Sequence, residues 1–183
     1  LVHRVFDSVA GSYDLMNDLM SGGVHRLWKR SMIDWLAPRP GQRVLDVAGG
    51  TGDIAFRVWQ RTGGRTHVTV CDASEAMLAV GRDRAIDRGI LSGIDWIRGD
   101  AEDLPLADAS QDAVTIAFGI RNVTHIDKAL AEFYRVLRPG GRFLALEFSA
   151  PVLPGLDTLY ETYSFNVIPA LGGYVTGDRE AHD

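Results

Sequence analysis

Between residues 41 and 150 the chain alternates short apolar runs with helical patterns, and nothing else in it constrains the fold so strongly. Residues 43–48 (Arg-Val-Leu-Asp-Val-Ala) read as a short buried strand, 51–60 as a helix, and Gly63-Gly64 as a turn. Residues 67–72 read as a second strand. Residues 74–88 follow as a helix, with Ser74 as its N-cap and Gly89 as its stop. Strands are expected again at 94–98 and 112–118. A helix over 124–137 would place Ile126, Leu130, Phe133, Tyr134 and Leu137 on its apolar face. Pro139-Gly140-Gly141 then turns the chain into a strand over 142–148. Strands alternating with helices imply an α/β domain, doubly wound, with a mostly parallel sheet covered on both faces. Such sheets bind ligands at the carboxyl ends of their strands, near the point where strand order reverses.

The first 40 residues read differently. Phe6, Val9, Tyr13, Met16 and Met20 recur at three- and four-residue steps, an apolar helical stripe broken at Ser21-Gly22-Gly23. Residues 24–36 read as a second helix, ended by Pro38 and Pro40. The 183 residues fit a single domain, 1–183: an N-terminal helical lid or substrate segment (1–40), a cofactor-binding core (41–150) and a helical or loop segment (151–183). The net charge of −5, without a Lys/Arg block, argues against nucleic acid as the partner. One cysteine, Cys71, excludes an internal disulfide and a multi-Cys metal site and favours a reducing compartment. No run approaches the ~20 apolar residues that span a bilayer. The chain opens on Leu1 rather than Met and closes without a final strand pattern, so it is expected to be a piece of a longer protein.

The chemistry concentrates at three strand ends. Asp46-Val47-Ala48-Gly49-Gly50-Thr51-Gly52 joins the first strand to its helix. It lacks the G-x-G-x-x-G spacing of dinucleotide binders. Small residues at Ala48, Gly50 and Gly52 allow a ligand close to the backbone. Asp46 brings a carboxylate that repels pyrophosphate and suits an ammonium, and S-adenosylmethionine carries both an ammonium and a sulfonium. Asp72 ends the second strand, where a carboxylate can accept hydrogen bonds from ribose hydroxyls or cap the helix ahead of Ser74. After the third strand, Asp100 can accept an adenine amino group, and Ala101 leaves room for the ring. Together these elements resemble the class I S-adenosylmethionine-dependent methyltransferases, with a Rossmann-like sheet, across roughly residues 40–150.

Longer strings narrow the resemblance. Tyr13-Asp14-Leu15-Met16-Asn17-Asp18-Leu19-Met20-Ser21-Gly22-Gly23-Val24-His25-Arg26-Leu27-Trp28 is one. Arg135-Val136-Leu137-Arg138-Pro139-Gly140-Gly141-Arg142-Phe143-Leu144-Ala145-Leu146-Glu147-Phe148-Ser149 is another, and Phe118-Gly119-Ile120-Arg121-Asn122-Val123 a third. They resemble the signatures of the UbiE family, C-methyltransferases of ubiquinone and menaquinone biosynthesis. Arg138 stands where that family usually has Lys, which keeps the charge. Ala117 stands where Ser often approaches the cofactor, which leaves only backbone contact there. The resemblance also implies a longer chain, with two further strands that include an antiparallel hairpin.

It implies, further, methylation of a ring carbon of a polyprenylated quinol (2-methoxy-6-polyprenyl-1,4-benzoquinol, demethylmenaquinol or both). A phenol titrates near about 10, so the site must favour the phenolate and later remove the ring proton. Arg121, just past the fourth strand, can stabilise phenolate charge or order a water. It is a poor base itself, because a guanidinium stays protonated. Asn122 can orient that water, or cap the helix before Thr124. Tyr13 can close over the quinol or sit in the core. His25 has a suitable ordinary pKa but reads as structural beside Trp28, Asp14 can orient either of them, and Glu147 can face the pocket from the fifth strand. The remaining histidines form no ligand-spaced set, and no metal is expected. An apolar stretch over 152–175 can guide the lipid tail or complete the core. No Lys or Arg lies between Phe143 and Asp178, against an electrostatic lipid patch there. The expected setting is the cytoplasm, peripheral at the inner membrane (the matrix side in a mitochondrion), as a homodimer or within a quinone-biosynthesis complex. Other readings are a methyltransferase for another small molecule or lipid, and a non-catalytic cofactor-binding member; a nicotinamide oxidoreductase is more distant.

Overall fold

β-Branched and other apolar residues crowd the expected strands, and the computed structural model, which describes residues 24–147, pairs them into one five-stranded parallel sheet. The described elements run α1 (His25–Leu36), β1 (Arg43–Val47), α2 (Asp53–Arg61), β2 (His67–Asp72), α3 (Glu75–Asp87), β3 (Ile94–Arg98), β4 (Gln111–Ala117), a 3-10 turn (Ile120–Asn122), α4 (Ile126–Val136) and β5 (Leu137–Leu146). Residues 28–147 belong to one compact unit; residues 24–27 fall in a second. The strand order is β3-β2-β1-β4-β5, so the direction of winding reverses between β1 and β4. The period-two pleat splits each strand between two cores. Val44, Val68, Val70 and Ala113 pack with Met32, Ile33 and Leu36 of α1, Ile54, Ala55 and Val58 of α2 and Leu78 of α3. Leu45, Val47, Val114 and Ile116 pack on the other face with Ala129, Phe133 and Val136 of α4. Asp46, the one carboxylate of β1, alternates with Val47 and points into the buried layer.

Local chemistry sets the boundaries. Ser74 caps α3: its Oγ accepts the Met77 N–H at 3.3 Å, and Gly89, at φ +68°, ends the helix as expected. Trp96 of β3 wedges between two helices. A Cβ on Gly81 of α3 would lie 2.2 Å from the indole, and one on Gly52, ahead of α2, 2.4 Å. Trp96 fills the space beside Gly52, and the φ of +82° there adds a second demand for glycine.

Two expectations change. The Pro139-Gly140-Gly141 segment is not a free turn: β5 already begins at Leu137, which pairs with Gln111, and the register shifts before Arg142 pairs with Ala113. On α4 the buried stripe is Ala129, Phe133 and Val136, whereas Ile126, Leu130 and Tyr134 are exposed, Tyr134 to 84%. The two stripes lie on adjacent faces of one helix, and Phe133 of the buried one packs its ring, tilted, with its centroid 5.1 Å from that of Phe143 of β5. The first helical stripe, residues 1–23 of the lid expected over 1–40, and the whole segment expected over 151–183 lie outside the described residues.

Candidate cofactor and acceptor site

Parallel pairing brings the ends of β1, β2 and β3 to one rim, and backbone bonds lock them together. The Gly49 N–H donates to the Cys71 carbonyl at 3.3 Å, the Gly50 N–H to Asp72 Oδ2 at 2.8 Å, and the Gly99 N–H to the Asp72 carbonyl at 3.1 Å. Ala48 holds φ +49°, sparsely populated for a residue with a Cβ, and Phe118, at the matching end of β4, holds φ +57°. Both strained residues sit beside the switch between β1 and β4, where a bound molecule is expected.

Asp46 lies beneath this rim, 1% exposed. Its Oδ1 accepts from Thr115 Oγ1 at 2.8 Å, across the β1–β4 register. Its Oδ2 is buried with no hydrogen-bond partner among the described residues, and a Cβ on Gly49 would come within 2.7 Å of it. Burial therefore pushes the carboxyl up to about 7; the Thr115 bond opposes this, as does nearby Lys29, while Asp53 and Asp72 add to it. A buried carboxylate with an unsatisfied oxygen calls for a cation or donor. The ammonium of S-adenosylmethionine fits that demand and a diphosphate does not.

Lys29, from α1, was not expected here. It is buried, donates to Asp53 Oδ2 at 2.8 Å and lies 5.8 Å from the centroid of the Phe118 ring. Arg57 takes the other oxygen, Asp53 Oδ1, at 3.0 Å. Burial pushes the Asp53 carboxyl up, but Lys29 and Arg57 outweigh it and hold it below the ordinary carboxylate range. Burial dominates at Asp46, whereas at Asp53 Lys29 and Arg57 both bond the carboxylate and outweigh burial; Lys29 bonds one of the two and only stands near the other. A signal for Lys29 exists in the sequence: it shares the stripe of Met32, Ile33 and Leu36, and a lysine on an apolar stripe needs a carboxylate.

The other expected cofactor residues divide by environment. Asp72 accepts from the Ser74 N–H at 2.9 Å as well as from Gly50, so it does turn the chain into α3. Thr51 is buried, its hydroxyl accepting from Arg84 Nη1 at 2.9 Å. Asp100 is exposed on the loop after β3 and accepts the Glu102 N–H at 2.9 Å, while Ala101 packs toward the α4-side core. Arg135 pins that loop, donating to the carbonyls of Leu104 and Leu106 and to Asp108. Ala117 closes β4, opposite Leu146.

The acceptor side gathers past β4. Arg121 and Asn122 lie exposed in the 3-10 turn. Arg121 Nη1 donates to Glu147 Oε1 at 2.9 Å. Asn122 does not cap α4, which starts at Ile126 after His125; the carboxylate of Glu102 accepts the His125 N–H at 2.8 Å. His25 is buried on the first turn of α1. Tyr13 and Asp14 lie outside the described residues. Cys71 is buried and its thiol is pushed up to about 12 by burial, then by Asp72 and Asp100, so it is no nucleophile. Among the described residues no cluster of His, Cys, Asp and Glu could hold a metal, and no helix is long and apolar enough to cross a membrane.

The model of the ubiE/COQ5 methyltransferase family matches residues 1–183. The ubiquinone/menaquinone biosynthesis C-methyltransferase UbiE of Brucella anthropi is 58% identical, over all of this chain and 70% of its own length. Among solved structures, the YcgJ protein of Bacillus subtilis superposes with a TM-score of 0.63 at 31% identity, over 71% of this chain and 54% of that one. The cyclase SpnF superposes with a TM-score of 0.68 at 26% identity, over 80% of this chain and 58% of that one. The chain thus spans about seven tenths of the curated relative and little more than half of each solved structure.

Proposed function

The chain belongs to the ubiE/COQ5 methyltransferase family, and from that premise we propose that it methylates a ring carbon of a polyprenylated quinol, with S-adenosylmethionine as methyl donor. The observation that carries the proposal is Asp46, whose buried, unpartnered Oδ2 suits a cationic cofactor at the glycine turn. A shared fold does not settle chemistry, as the cyclase with the same architecture illustrates, so the residues must.

When bound, the cofactor supplies a methyl group already activated by a sulfonium. Asp46 holds the ammonium end, Asp72 meets the ribose hydroxyls and Asp100 the adenine amino group. Lys29 fixes Asp53 at the first turn of α2 and keeps the floor of the site from accumulating unpaired negative charge. Arg121 places a guanidinium where the quinol oxygen would lose its proton, which raises the nucleophilicity of the ring carbons ortho and para to it. Asn122, next to it, orients the ring hydroxyl.

The tail of such a substrate resides in a bilayer, so the proposal places the enzyme at the cytoplasmic face of a membrane, in contact with it, as a homodimer or within a complex of quinone-synthesising enzymes. Co-flotation with liposomes and sedimentation test those two statements. The activity itself is tested with a demethylated acceptor in both redox forms. The quinol should be methylated and the quinone left unchanged, because the oxidised ring carbon is not nucleophilic. Equal rates on the two forms would refute the mechanism, and no transfer to either would refute the substrate class.

A further inference from the structure

After a ring carbon accepts a methyl group it still bears its hydrogen, and aromaticity returns only when that proton leaves. Arg121 cannot take it, since a guanidinium stays protonated. Asn122 does not titrate. Asp46 is sealed in the cofactor floor, Asp72 receives two backbone N–H groups at 2.8 and 2.9 Å, and Asp100 lies on the adenine side after β3. Glu147 differs from all of these. It follows the last residue of β5, and Leu146 pairs with Ala117, so the carboxylate stands at the same rim as the end of β4. The Phe118 N–H donates to the Leu146 carbonyl at 2.7 Å, which fixes this end of the strand. Oε1 accepts from Arg121 Nη1 at 2.9 Å, and the Glu147 side chain is about one fifth exposed (22%).

We propose that Glu147, positioned by Arg121, is the base that removes the ring proton. The inference rests on the quinol reading above. In the step, the ring carbon–methyl bond forms from the ring π electrons while the carbon–sulfur pair remains on sulfur. The ring C–H bond then breaks, its electron pair restores the aromatic ring, and the proton passes to the Glu147 carboxylate and on to water. A carboxylate is a weak base, which suffices because rearomatisation drives the proton off. One guanidinium has donors for two anions, so Arg121 can face the phenolate oxygen and Glu147 together. The pair thereby links the group that activates the ring to the group that deprotonates it.

The test uses E147Q and E147D in the full chain, with demethylmenaquinol carrying hydrogen or deuterium at the reacting carbon. In the unaltered enzyme methyl transfer is expected to limit the rate, so the two substrates should react alike. In E147Q turnover should fall about 10²- to 10⁴-fold, the range of a lost general base, and a primary deuterium isotope effect should emerge. E147D, which keeps a carboxylate, should recover part of the rate. Calorimetric affinity for S-adenosylmethionine and the unfolding temperature should match the unaltered protein in both variants. Loss of turnover in E147Q without an isotope effect would make Glu147 a mere anchor for Arg121 and overturn the proposal, as would turnover that does not change. If the unaltered enzyme fails to methylate the quinol, the functional reading falls first; if it succeeds and E147Q equals it, only the base is wrong.

Discussion

At the end of β1, Asp46 is 1% exposed and its turn is tied by backbone bonds to β2, whereas at the end of β4, Arg121 is exposed and paired with Glu147 at the next strand end. The first region works in a low dielectric, where one unsatisfied oxygen is costly and a cation gains much. The second region works in water until a substrate displaces it, so its ion pair adds little to the stability of the resting protein. Cofactor binding and folding are therefore coupled at Asp46. Chemistry at Arg121 is largely separable from both.

The sharpest way to break this division is Arg121→Ala. Turnover should fall about 10²- to 10³-fold, as for loss of one donor to developing negative charge. Calorimetric affinity for S-adenosylmethionine should stay within about twofold, as expected of a group that acts only in the transition state. Equal losses in both would move Arg121 into the cofactor region and end the distinction.

Asp46→Asn should act the other way. A charge-assisted hydrogen bond of about 1.5–3 kcal/mol is lost, which weakens the cofactor about 10- to 100-fold. Above neutral pH the ligand-free variant should melt no lower than the parent, since the side chain removed is a buried charge with an unpartnered oxygen. A lower melting temperature with unchanged affinity would contradict the assignment.

The same group predicts a pH dependence. Its folded pKa is raised, so the native state holds a proton that the unfolded chain releases, and the stability this contributes is present below pH ~4 and lost as pH rises toward 7. A cation in the site prefers the ionised carboxylate. Cofactor affinity should thus weaken up to about tenfold per pH unit below 7, with uptake of a proton on release, readable by calorimetry in buffers of different ionisation enthalpy. Asp46→Asn should flatten both curves; curves that keep their slope in the variant would place the titrating group elsewhere. Smallest of all is His125→Gln. The pair His125 Nδ1 to Glu102 Oε2, at 2.7 Å, is half exposed on the histidine side, and removing it should leave the melting temperature nearly unchanged. A larger loss would mean that the loop after β3 depends on this pair more than on Arg135.

The two regions also differ in how far they could be read from the chain alone. β2 and β3 fall where alternation places them, and the cap at Ser74 and stop at Gly89 follow from local backbone chemistry, which a sequence carries within a few residues. The glycine turn was equally plain, yet the packing demand on Gly52 was not, because Trp96 reaches it from a different strand. Arg121 and Glu147 each stood in a recognisable string, 26 residues apart, and only the Ala117–Leu146 register joins them. Lys29 was hidden among charged neighbours although its stripe spacing gave it away. Contacts set by strand order are the ones that periodicity cannot supply.

The central statement is that the chain places a methyl group on carbon. With S-adenosylmethionine carrying an isotopically labelled methyl group and demethylmenaquinol as acceptor, nuclear magnetic resonance of the product locates the label. Label on the ring carbon is the predicted result. Label on a ring oxygen, or bound cofactor with no labelled product, would contradict it.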